Sequence, residues 1–189
     1  MRFHNPVFIG KNKDYNYRER DRGTLRMDKI TLITGSADET EEVGLLLGAG
    51  LERGMFVGLS GELGGGKTTL TRGIARGMGI RADVTSPTFQ LVREYNGRER
   101  LYHFDFFRLA SGCDLLDLDI AGCLEKGIVV AEWAEKFDVV DAVRFIRIRF
   151  GWEGENRRRI EFTGGSPEGC LLLDSLARDI ERYKFDGTA

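Results

Sequence analysis

Residues Gly61-Glu62-Leu63-Gly64-Gly65-Gly66-Lys67-Thr68 match the pattern Gly-x-x-x-x-Gly-Lys-Ser/Thr at every position. They stand between a short apolar run, Met55–Leu59, and a segment of helical period. No other stretch constrains the fold as tightly, because a strand that turns through such a loop into a helix belongs to an α/β sheet with phosphate chemistry at its edge. Phosphates carry several negative charges, and a helix N-terminus offers unpaired amides and the positive end of a dipole. Glycines let those amides approach phosphate oxygens where a Cβ would obstruct them. Lys67 supplies a mobile charge for the β and γ phosphates, and Thr68 a hydroxyl for magnesium. Gly64, Gly65, Gly66, Lys67, Thr68 and Thr69 are therefore the expected nucleotide-binding residues, with ATP and magnesium the expected ligands. A glycine turn with no ligand is the plain alternative; pattern, flanks and spacing together argue against it.

The flanking segments extend the α/β reading. Met55–Leu59 is short and nearly all apolar, as in a strand buried on both faces. A helix over Lys67–Met78 aligns Leu70, Ile74 and Met78. Upstream, Ile30–Thr34 reads as a β-branched strand. Ser36 with Glu39 three residues later forms a capping box for a helix through Leu47, with Val43 and Leu47 on its buried stripe. Phe89–Tyr95 and Arg98–Asp105 flank Asn96-Gly97, a hairpin turn in which both residues accept positive φ. Ile128–Ala131 is a second compact apolar strand. Alternation over 143–150 and the run Arg157–Thr163 predict a second hairpin, and Leu171–Tyr183 a closing helix. The expectation is one P-loop α/β domain over 28–184, a covered sheet flanked by helices and carrying β-hairpins, with a tail at 185–189.

Residues 1–27 read differently. The stretch 11–26 is polar and without period, so it is expected to stay disordered as an N-terminal extension. It is either an over-long start before Met27 or an arm that touches a partner. Residues 1–26 hold seven basic against three acidic groups, a charge of +4 that leaves −6 for the remainder. An acidic body is not the electrostatic footprint of a duplex-binding domain. Cys113, Cys123 and Cys170 are widely spaced with no Cys-x-x-Cys pair, which argues against a zinc site or disulfide framework. No run approaches the roughly 18 apolar residues that span a bilayer. With no cleavable leader either, the expected location is the cytoplasm, away from membranes.

A triphosphate site also needs acids for the metal and the attacking nucleophile. Asp105 closes Leu101-Tyr102-His103-Phe104-Asp105, and Glu132 closes Ile128-Val129-Val130-Ala131-Glu132. Both carboxylates then lie at C-terminal strand ends, where ligands of α/β sheets gather. Spacing leaves open which meets the metal. Glu132 follows the more apolar strand and is the better candidate beside Thr68, with Asp105 orienting water or completing the outer shell. Thr85-Ser86-Pro87-Thr88 reads either as a segment sensing the γ-phosphate or as a plain turn. His103, inside a strand, is more often a hydrogen-bonded structural residue than a base. Trp133 is read equally as core or as an exposed platform, and Arg157-Arg158-Arg159 as a solvated hairpin end.

Several segments together resemble one family, TsaE, small bacterial ATPases of tRNA threonylcarbamoyladenosine synthesis. The matching pieces are the loop through Thr69, Ser86-Pro87-Thr88-Phe89, Tyr102-His103-Phe104-Asp105-Phe106-Phe107-Arg108-Leu109, and Glu132-Trp133. The resemblance covers roughly residues 28–183 and implies an α/β P-loop domain with a mixed sheet, and slow ATP hydrolysis in assembly with TsaD and TsaB subunits, reaching tRNA indirectly through that complex. It implies that Lys67 and Thr68 hold phosphate and magnesium, and that Thr88 lies in a switch segment. It further implies that Asp105 is the acid of a Walker-B-like strand, that Glu132 is a metal-side acid, and that Trp133 lies near nucleotide or partner. The start of the first helix, Ser36–Thr40, would lie near the base. Phe107 departs from the tyrosine usual in the family, and nothing carries over to residues 1–27.

Three other readings compete. A small-molecule kinase uses the same loop but needs an arginine-bearing lid, for which only Arg72, Arg76 and Arg108 are scattered candidates. A GTP switch needs Asn-Lys-x-Asp, and Asn12-Lys13-Asp14 lacks the spacer. A pure interaction subunit with structural nucleotide is the third.

Overall fold

The computed structural model describes residues 13–20, 24–110, 114–115, 117–136 and 144–185. In chain order these form β1 (Lys13–Arg20), β2 (Thr24–Thr34), α1 (Ala37–Gly50), β3 (Phe56–Ser60) and α2 (Lys67–Gly77). Then come β4 (Val92–Asn96), β5 (Arg100–Asp105), α3 (Ile120–Lys126), β6 (Gly127–Glu132), a 3-10 turn at Ala134–Lys136, β7 (Phe145–Trp152), β8 (Arg158–Gly164) and α4 (Pro167–Phe185). The strands make one mixed sheet in the order β1-β2-β8-β7-β3-β6-β5-β4. Its centre is parallel, with β3 between β6 and β7 and β5 beside β6; the β1-β2-β8-β7 wing and the β4–β5 edge are antiparallel.

Alternation along the strands sorts side chains to two layers. Val57, Leu59, Leu101, Ile128 and Val130 enter the core shared with α1, α2 and α4, while Phe56, Tyr102, Phe104, Val129 and Ala131 enter a second core on the opposite face. The same parity aims His103, Asp105 and Glu132 toward the α2 side. α2 is held there by close packing on α1: a Cβ at Gly73 would lie 2.0 Å from Glu41 O, and one at Gly48 2.2 Å from Ile74 O. Side chains at these crossings would push the two helices apart, so glycine fixes how closely α2 and its preceding loop sit on the sheet.

The expected elements from Ile30 onward are present. Ser36 caps α1, accepting from Glu39 N at 3.1 Å, while the Glu39 carboxylate reaches back to Gly35 N at 2.6 Å, one residue earlier than a capping box requires. Three expectations are corrected. The stretch 11–26 was expected to stay disordered, yet residues 13–20 form β1, paired antiparallel with β2, so backbone ladder bonds order a segment that lacks apolar period. Residues 1–12 and 21–23 lie outside the described residues, as does the tail at 186–189.

The first hairpin is present, but Gly97 lacks positive φ and the connection is the three residues 97–99. Gly97 is needed for close approach instead: its Cβ would lie 2.6 Å from Met78 O. Arg98 docks this tip, with its N–H donating to Met78 O and Nη2 donating to the carbonyls of Gly48 and Leu51, both at 2.6 Å. The strand before the turn starts at Val92 rather than Phe89. Gln90 N and Leu91 N both donate to Pro87 O, and Leu91 takes φ 64°, which breaks the extended run. The short α3, opened by Asp119 accepting from Gly122 N, has no counterpart in the sequence reading.

Cys123 and Cys170 form no disulfide, and Cys113 lies outside the described residues. No helix among the described residues is long and apolar enough to cross a membrane.

Candidate functional site

The loop between β3 and α2 borders a cleft of about 370 Å³ lined by Leu63, Gly64, Gly65, Gly66, Lys67, Thr68, Thr69, Ser86, Thr88, Asp105, Phe107, Glu132 and Trp133. Its glycines carry the turn. Gly61 has φ 123° and would place a Cβ 2.6 Å from Phe150 O, and Gly66, at φ 108°, is the N-cap of α2. No side chain caps that helix start, so its first amides are left for a ligand.

Lys67 is only 4% exposed. Its ammonium donates to Gly61 O at 2.7 Å and Glu62 O at 2.9 Å, and lies 3.9 Å from the centre of the Trp133 ring. Burial pulls its pKa below the ordinary lysine value, against the opposing attraction of Glu132, Glu135 and Asp105. Trp133 holds φ 61°, a left-handed conformation unusual for a bulky residue, and its ring also leans on Phe107 at 5.1 Å.

Asp105 and Glu132 end adjacent parallel strands in direct register. Glu132 Oε1 accepts from Thr68 Oγ1 at 2.8 Å and meets His103 Nε2 at 3.0 Å. Asp105 Oδ2 accepts from Ser86 Oγ and Thr88 Oγ1, each at 2.5 Å, while Oδ1 accepts from Phe107 N at 2.9 Å. Both acids are buried, 2% and 3% exposed. The alternatives left by spacing thus divide: Glu132 is the acid joined to Thr68, and Asp105 belongs to the Ser86–Thr88 segment.

The structure brings the expected Gly64, Gly65, Gly66, Lys67, Thr68, Thr69, Thr88, Asp105 and Glu132 to one cleft. Thr40, at the start of α1, lies behind the loop, its Cγ2 3.8 Å from the Cβ position of Gly66, and does not line the cleft. Arg157, Arg158 and Arg159 stay within their hairpin, on Glu153 O, the Trp152 ring and the Glu153 carboxylate respectively. Sequence reasoning missed Glu135, whose carboxylate accepts from Gly61 N at 3.2 Å. Only the 3-10 turn after Trp133 brings it back to the loop, and no spacing signals that.

The donor set suits magnesium. A hydroxyl and a carboxylate 2.8 Å apart are hard oxygens, and magnesium is commonly held by one or two carboxylates plus substrate phosphates. Among the described residues no group of three His, Cys, Asp or Glu side chains could hold a metal by itself.

Comparison with known proteins identifies the family. Residues 34–160 match the family model described as threonylcarbamoyl adenosine biosynthesis protein TsaE. The chain is 34% identical over 160 residues to a tRNA threonylcarbamoyladenosine biosynthesis protein TsaE of Nostoc sp., covering 81% of this chain and 96% of that protein. It is 34% identical over 155 residues to the protein of the same name from Bacillus subtilis, covering 80% and 96%. The crystal structure of Bacillus subtilis YdiB superimposes with a TM-score of 0.69 at 28% identity, over 80% of this chain and 95% of that one. With a glycine loop, paired strand-end acids and both whole-length relatives pointing the same way, this chain belongs to the TsaE family.

Proposed function

We propose that this protein is an ATP-binding and slowly ATP-hydrolysing subunit required for threonylcarbamoyladenosine modification of tRNA, acting with TsaD and TsaB subunits in the cytoplasm. The relatives' names supply the pathway. The observation that carries the ATPase part is the convergence of Lys67, Thr68, Asp105 and Glu132 at one helix N-terminus.

Lys67 leaves its two loop carbonyls to neutralise the β and γ phosphates, and the α2 amides bind the remaining phosphate oxygens. Thr68 and Glu132 would hold magnesium, which when bound would screen the charge that develops on the transferred phosphoryl group. Asp105, held by two hydroxyls and an amide, serves to align the attacking water. Thr88, tied to Asp105, couples the 85–88 segment to the γ-phosphate position. TsaD and TsaB reach tRNA; the acidic body of this chain has no need to.

Among the described residues, the arginines named as lid candidates are engaged elsewhere and supply no lid for the kinase reading. Arg76 is held by Glu41 at 2.7 Å, Arg72 donates to Thr69, and Arg108 lies over the exposed Phe89 ring at 4.1 Å. The test is phosphate release from ATP by the full chain, alone and with TsaD and TsaB. Slow release alone that changes with both subunits supports the proposal. Fast release indifferent to them, or phosphate appearing on a metabolite, refutes it.

A further inference from the structure

Among the described residues three buried polar side-chain atoms lack a hydrogen-bond partner: Arg72 Nε, Tyr95 Oη and His103 Nδ1. His103 is the fully buried one, 0% exposed, and its other ring nitrogen lies 3.0 Å from Glu132 Oε1. It does not line the cleft. We propose that His103 is a positioning residue whose Nε2–H holds Glu132 so that the carboxylate presents its second oxygen, Oε2, to magnesium. This rests on the reading of Glu132 and Thr68 as the metal-side pair.

A carboxylate oxygen only accepts, so the ring nitrogen facing it carries the proton. The opposite nitrogen has no acceptor. A second N–H there would be an orphaned buried donor, whereas a lone pair is cheaper to leave unmatched. The geometry thus places a ring proton on Nε2, facing Glu132. Oε1 is thereby fixed from two elements at once, by Thr68 on α2 and by His103 on β5. Oε2 has no protein partner among the described residues. Thr68 touches the metal itself, so its loss confounds binding with orientation. His103 lies one layer below and acts through Glu132 alone, and outer partners of this kind orient metal ligands.

The test has two independent arms. First, nitrogen-15 spectra of the free full-length chain, with the other histidine removed by His4→Gln, read the ring proton of His103. Nε2–H is expected; a proton on Nδ1 alone overturns the proposal whatever nucleotide does. Second, calorimetry compares ATP affinity with magnesium and with chelator. In His103→Leu the tightening brought by magnesium should shrink about tenfold or more, with affinity in chelator unchanged. His103→Gln, which keeps a donor near the Nε2 position, should restore it. Should the leucine variant fail to fold, His103→Asn, whose amide stops short of Glu132, takes its place. An unaltered magnesium effect, or a loss equal with and without magnesium, overturns the proposal. A wild-type chain that binds no ATP refutes the nucleotide reading instead, and leaves the first arm to decide on His103.

Discussion

Asp105 and Glu132 are direct neighbours across the parallel β5–β6 pair, yet each carboxylate is tied to a different part of the chain. Glu132 meets Thr68 on the glycine loop and His103 beneath it; Asp105 meets Ser86 and Thr88 from the segment after α2. Two buried acids so close are tolerated because each is satisfied by its own donors. On the proposed function, the division gives one acid to the metal and the other to the attacking water in the same cleft.

Glu132→Gln should therefore weaken magnesium-dependent ATP binding or turnover by about 10- to 100-fold while the fold survives, since the change keeps shape and removes one of two neighbouring negative charges. Thr68→Ala should do the same, and the double variant should be little worse than the poorer single one, because the two side chains are joined and serve the same metal position. Calorimetry and phosphate release on the three variants check this; additive losses would mean that the two residues work separately.

Lys67 gives a pH signature. Its pKa in the folded chain is depressed, first by burial, so between that value and the ordinary lysine value the unfolded chain holds a proton that the native chain has released. Stability attributable to this residue thus rises with pH across that window, and below it the buried charge is a cost. Lys67→Met should abolish ATP binding yet melt no lower than wild type at pH 7, with its advantage shrinking as pH climbs toward the ordinary lysine value. Thermal melts from neutral to alkaline pH decide; an advantage that grows with pH contradicts the assignment.

The fold offers a separate check. A Cβ at Gly73 would sit 2.0 Å from Glu41 O, a backbone atom that cannot rotate away. Gly73→Ala should destabilise the protein by about 1–3 kcal/mol through forced separation of α1 and α2. By shifting the helix that carries Lys67 and Thr68, it should also weaken ATP binding. Denaturant unfolding measures the first effect, and an unchanged midpoint would show that the helices can slide.

The loop and both acids were legible because each chemical requirement is local: glycines for backbone approach, a lysine and threonine at fixed offsets, a carboxylate at the end of an apolar strand. β1 was not, since its order comes from ladder bonds to β2 rather than from side chains it could bury. Glu135 was not, because its approach to Gly61 is made by a tertiary turn. His103 was read as structural from its strand position; its contact with Glu132 needs the registry of β5 on β6, which no single strand encodes. Gly97 was read for the wrong property, backbone freedom instead of the space it leaves beside Met78.

Trp133 should report nucleotide directly. In the free protein the Lys67 ammonium rests 3.9 Å from its ring, an attraction available only while the lysine stays folded back on the loop carbonyls. Phosphate draws the ammonium away, so Trp133 emission should change on adding ATP. The chain has two tryptophans, and the other, Trp152, is stacked beneath Arg158 on the β7–β8 hairpin, so Trp152→Phe isolates the signal. In that background Lys67→Met should start from an altered spectrum, because the cation beside the ring is gone, and give no response to ATP, which it no longer binds. If Trp133→Phe with Trp152 intact still gives the full response, the signal arises elsewhere and the lysine does not swing between ring and phosphate.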